Sequence, residues 1–136
     1  MSRSGYSDDC DCENPQLWRQ AVDQATFGAR GQQFLRRLRD ALEAMPVKRL
    51  ITDAIRDEAG EVCALGALDP TVSIYEADDL AKHFGIARAL ASEIVYMNDE
   101  FHSWQRETPE QRWTRMRAWV AKQIYVEPAS PTEDQP

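Results

Sequence analysis

No apolar run in this 136-residue chain approaches the roughly 20 residues that a membrane-spanning helix requires. Its first residues, Met1-Ser2-Arg3-Ser4-Gly5, lead into acid rather than into an apolar secretory stretch, so a cytoplasmic location is expected. Cysteine occurs three times, an odd number that does not make a disulfide framework. Histidine occurs twice, and no second Cys or His pair follows Cys10-Asp11-Cys12, so a closed structural metal site has too few soft ligands. There is no Asp-x-Asp-x-Asp-Gly loop for a hard cation. No cofactor and no metal are therefore expected. Positive charge is also in short supply, since the formal net charge is −7. Phosphate binding demands concentrated Lys and Arg, and the main concentration, Arg36-Arg37-Leu38-Arg39, is followed at once by Asp40 and Glu43. Direct nucleic-acid binding is disfavoured on that balance. A protein partner with a basic surface is the better electrostatic match, and the oligomeric state is left open.

The composition is that of a soluble globular domain, 43% hydrophobic and 29% charged, and the length suits one domain with a real core. Residues 1–13 read as a flexible acidic arm, residues 14–126 as a helical domain, and residues 127–136 as a disordered tail too polar and proline-rich to fold. Asn14 offers an N-cap and Pro15 fits the first helical position. Trp18, Ala21, Val22 and Ala25 then recur at helical spacing, and the pattern fades at Gly28-Ala29-Arg30-Gly31. The clearest helix follows, with Leu35, Leu38, Leu42 and Met45 on one face until Pro46 stops it.

From residue 50 the period changes. Ile51, Ala54 and Ile55 favour a helix over Leu50–Arg56 turning at Gly60, while a short β-hairpin around residues 50–63 is the alternative. Cys63–Leu68 is a short helix or strand, broken by Asp69-Pro70. A loop holding Ile74-Tyr75 precedes a helix from Ala77 that buries Leu80, Ala81 and Phe84 and ends at Gly85. The next helix runs from Ile86 to Met97 with Asn98 as its terminating residue. Thr108, Pro109 and Gln111 then form a Thr-x-x-Gln capping box, and Trp113, Met116, Val120 and Ile124 make the buried stripe of the last helix. The fold class is mainly α: one compact domain of about five helices.

Three arrangements could carry chemistry. Leu80–Ile94 has the pattern of a helix-turn-helix around Gly85, yet its second helix would expose Arg88, Ser92 and Glu93, and one arginine beside a carboxylate is a poor phosphate reader. An αα-corner inside a helical core is the plainer reading. Cys63 with His83 or His102 and Asn98 or Asp99 invites a Cys-His-Asn triad, but Val62, Ala64 and Leu65 around Cys63 point to a buried thiol. No catalytic residue is assigned, and the chain is read as non-enzymatic. The acids Asp8, Asp9, Asp11, Asp99 and Glu100, with the aromatics Tyr75 and Trp104, are the candidate partner-binding residues.

Several blocks together carry a family signal: Gly60-Glu61-Val62-Cys63-Ala64-Leu65-Gly66-Ala67-Leu68, Tyr96-Met97-Asn98-Asp99-Glu100, Arg30-Gly31-Gln32-Gln33-Phe34-Leu35-Arg36 and Glu107-Thr108-Pro109-Glu110. The chain resembles a family of uncharacterised small proteins common in bacteriophage and prophage genomes. That family has no established catalytic residues to carry over. The resemblance implies a phage accessory protein acting in the host cell. Its concrete form is an inhibitor of a nucleic-acid-handling defence complex, in the manner of anti-CRISPR proteins, with a helix-turn-helix DNA-associated regulator as the alternative.

Overall fold

A computed structural model describes residues 15–72, 76–100 and 106–124. The expected arm, the tail, Asn14 and the loop pair Ile74-Tyr75 lie outside those residues. The described chain is mainly helical and compact, with six helices and no extended strand. They are α1 (Pro15–Phe27), α2 (Ala29–Ala44), α3 (Ala64–Leu68), α4 (Ala77–Phe84), α5 (Arg88–Asp99) and α6 (Pro109–Gln123).

Helix α2 buries Phe34, Leu35, Leu38 and Leu42 on one side, and each fully buried leucine contributes about 1.5–3 kcal/mol. These side chains meet Leu50, Leu65, Leu80, Leu90, Ile94, Met116 and Val120 in a single cluster. Helix α5 is the central element, packed against α1, α3, α4 and α6. Nine of its twelve residues are buried, so solvent reaches little of it.

Helix α2 begins at Ala29, earlier than the Gly28–Gly31 fade suggested. Gly28 serves as its N-cap, and Gly31 is needed for a close approach rather than a break. A Cβ at Gly31 would stand 1.8 Å from the Ala25 carbonyl oxygen. Gln32 secures the same corner, donating from Nε2 to the Thr26 and Gln123 carbonyls at 2.7 and 3.0 Å. The second bond fastens the end of α6 to the beginning of α2.

The expected helix over Leu50–Arg56 does not form. Its backbone groups are claimed by distant partners: Leu50 N–H by the Pro109 carbonyl and Ile51 N–H by the Val62 carbonyl, at 3.1 and 2.9 Å. Long-range bonds of this kind satisfy the same donors a helix would have used. What appears is the hairpin alternative in its smallest form, one antiparallel bridge between Arg56 and Val62. The Asp57 carboxylate accepts from the Ala59 and Glu61 amides, both at 2.9 Å, and Gly60 turns the chain at φ +84°.

Gly85 ends α4 in the left-handed region at φ +71°, while Ile86 N–H bonds back to the Ala81 carbonyl, which is a Schellman closure. Helix α5 starts two residues later than its apolar pattern, at Arg88, and runs through Asn98 to Asp99. Asn98 is therefore not a terminating residue. The start of α6 matches the sequence expectation fully, with both bonds of the Thr108–Gln111 box present.

Candidate protein-interaction site

The polar end of α5 faces inward. Asn98 accepts from the Ala64 amide at 3.1 Å and donates from Nδ2 to the Ile51 carbonyl and to Asp99 Oδ1, both at 2.8 Å. Asp99 is 9% exposed, and its carboxylate also accepts from the Asp53 amide at 3.2 Å, where Asp53 holds a φ of +66°. The start of α6 completes the clasp. Arg112 donates to the Leu50 carbonyl at 2.8 Å and pairs with Glu107 at 3.3 Å, while Arg115 grips Glu107 with both prongs at 2.6 and 3.0 Å. Burial pushes the Arg112 guanidinium down and the Glu107 charge opposes that shift. These groups fix the non-helical segment 49–53 between two helix ends, which is a structural task.

Of the seven candidate partner-binding residues, Asp8, Asp9, Asp11, Tyr75 and Trp104 lie outside the described residues. Asp99 is turned into the clasp, and Glu100 beside it is partly buried. The described residues therefore bring none of the seven together as an open acidic face.

Charge is distributed unevenly along the chain. The described residues hold fifteen Lys and Arg against sixteen Asp and Glu, a net of −1. The remaining −6 of the formal charge belongs to Asp8, Asp9, Asp11, Glu13, Glu127, Glu133 and Asp134, offset by Arg3 alone. Many acids of the folded part are engaged. Glu61 and Glu110 share Arg49, Glu43 pairs with Arg117, Asp78 with Arg88, and Glu93 with Arg19. The hydrogen bond to Glu61 is the main reason that the Arg49 pKa is raised. Asp69 is held below the usual carboxylate range first by the Thr71 hydroxyl and then by His83, 3.1 Å away.

A groove of about 640 Å³ lies where the end of α2 meets the Gly60 turn and α3. Its walls are mostly apolar and small: Ala41, Ala44, Val62, Ala67 and Pro70, with Arg49 and Glu61 at one edge. The volume falls within the roughly 300–1,000 Å³ of ordinary ligand clefts. Gly66 lines the groove and packs closely against the chain, where a Cβ would come within 2.3 Å of the Ile55 carbonyl. Val47, thrust outward after Pro46, lines it at 60% exposure. Lys48 steadies this corner by donating to the Met45 carbonyl at 2.6 Å while lying over Trp113. Sequence reasoning missed Val47, whose one signal is an apolar residue just beyond a helix-stopping proline.

The other two arrangements also find their places. The second helix of the Gly85 corner exposes Arg88, but Ser92 and Glu93 are buried, contrary to expectation. A reading helix must enter a groove with its outer residues, and here those positions face α1 and the core. Cys63 is 1% exposed at the head of α3, whereas His83 is exposed on α4 beside Asp69. His102 lies outside the described residues. Among the described residues no cluster of three or more His, Cys, Asp or Glu side chains is placed to hold a metal ion, and no helix is long and apolar enough to cross a membrane. No family model, no curated protein and no solved structure matches this chain.

Proposed function

We propose that this protein is a non-catalytic, phage-type accessory factor that works in the host cytoplasm by binding another protein with a basic surface. The observation that carries the reading is the mostly apolar groove lined by exposed Val47. Protein interfaces are built on a few well-packed apolar anchors, and a groove walled by small apolar residues can seat one. The acidic residues near the two ends of the chain supply attraction toward the target and speed its capture. Inhibition of a nucleic-acid-handling defence complex is the concrete version, because such complexes present basic surfaces for phosphate.

The test is capture from host lysate at physiological salt, wild type against Val47→Asp. The wild type is expected to retain a specific protein that the variant loses, with both proteins equally folded by circular dichroism. A wild type that retains nothing specific at low or physiological salt would sink the reading.

A further inference from the structure

We infer that the outward face of α1 pairs with the same face of a second copy of this chain, in an antiparallel, reversible dimer that leaves the groove free. Among the described residues the exposed large hydrophobic side chains are Leu17, Phe27 and Val47. Val47 lines the groove, whereas Leu17 and Phe27, 58% and 54% exposed, both belong to α1. Their placing has a symmetry. Leu17 and Phe27 stand five positions before and after Val22, and Gln20 and Gln24 stand two positions before and after it. At about 100° per residue all four point within about 40° of the direction opposite Val22. The structure agrees, since Val22 is 1% exposed while Leu17, Gln20, Gln24 and Phe27 all face solvent. The two charged side chains of α1 lie off this stripe and are engaged: Arg19 pairs with Asp23 at 3.4 Å and with Glu93 at 3.3 Å.

The occupant follows from that symmetry. A two-fold contact between identical chains needs a surface complementary to itself. Turning α1 end for end about Val22 sets Leu17 against the partner's Phe27 and Gln20 against the partner's Gln24, and each contact is made twice. The apolar pairs bury what each copy leaves in water, and amides that both donate and accept meet others of their kind. Charge points the same way. Two acidic chains meet on a stripe that carries no charge. The same turn brings Glu13, which stands before α1, to the end of the partner's α1 that continues into the partner's Arg30, an exposed residue. A helix of 13 residues is about 20 Å long and about 10 Å wide, so the shared face is smaller than the roughly 800 Å² per partner of a standard interface. Pairing is therefore weak, with a Kd on the order of 0.1 mM, and set by concentration. The groove lies at the far end of α2, so a dimer carries two open grooves.

Sedimentation equilibrium of the full chain between about 10 µM and about 1 mM tests the assignment. The weight-average mass of the wild type should climb from that of one chain toward that of two. Leu17→Glu and Phe27→Lys, each an exposed change that keeps the circular dichroism of the wild type, should each weaken pairing at least about tenfold. Mixed together, the two variants should pair again. The antiparallel register sets the new carboxylate of one against the new ammonium of the other, while Phe27 meets Leu17 at the opposite end. Val47→Asp should pair like the wild type. The inference falls if the wild type stays monomeric at about 1 mM, or if neither α1 variant weakens association. It also falls if the mixture stays monomeric, or if Val47→Asp abolishes pairing, which would mark the groove as the self-contact. A monomeric wild type leaves the groove reading standing, because that reading asks only for another protein.

Discussion

The clasp around Asn98 and the outer arc of α2 are both rich in polar side chains, yet they use them in opposite ways. In the clasp Asn98, Asp99, Glu107, Arg112 and Arg115 bond one another and the backbone of residues 50–64, although the buried Arg112 Nε, ion-paired with Glu107, makes no hydrogen bond. On the arc Arg30, Arg36 and Arg37 project to solvent from a helix held entirely by its other side. The conspicuous polar motif at the end of α5 is thus spent on architecture, whereas the arginines of α2 keep their exposure to water. A buried polar group costs little while paired and much when its partner is removed, whereas an exposed charge costs little either way.

That contrast is open to direct attack. Asn98→Ala should cost most, about 3–4 kcal/mol in urea unfolding, because it strands the Ala64 amide, the Ile51 carbonyl and Asp99 at once. A loss below about 1 kcal/mol would show that the clasp is ornamental. Gly31→Ala, on the inner side of the helix that carries Arg30, should cost about 2 kcal/mol net. The clash with the Ala25 carbonyl there outweighs the roughly 1 kcal/mol gained in helix propensity. Thr108→Ala removes one bond of the capping box that starts α6 and should cost about 1 kcal/mol, read by the same titration. Arg37→Glu should change stability by less than about 0.5 kcal/mol. If Arg37→Glu proves as damaging as Thr108→Ala, the arc is structural too.

Local signals carried the helices well. The capping box of α6, the leucine stripe of α2, the glycine stop after α4 and the break at Asp69-Pro70 are all decided within a few residues, so they are legible in the chain. Leu50–Arg56 misled for the opposite reason. Its apolar spacing suits a helix, but its amides and carbonyls find partners at Val62, Asn98, Pro109 and Arg112, up to 62 residues away. No window along the sequence holds that information. Asn98 likewise looks like a helix terminator, because asparagine commonly is one, until the fold places two backbone strangers beside its amide. The candidate site was the least legible part. The acids and aromatics chosen for it were conspicuous by type, whereas Val47 is a single small hydrophobe whose exposure follows from how Pro46 leaves the end of α2.

By itself the sequence determined that the chain is helical, where most of its helices start and stop, and which stripe of each is apolar, because those properties depend on neighbours three or four positions away. The tertiary structure alone decided which charges are spent and which face outward. Pairing Glu43 with Arg117 or Asp99 with the Asp53 amide requires residues far apart in the chain to meet, and whether a charge is neutralised depends on the company it keeps in space.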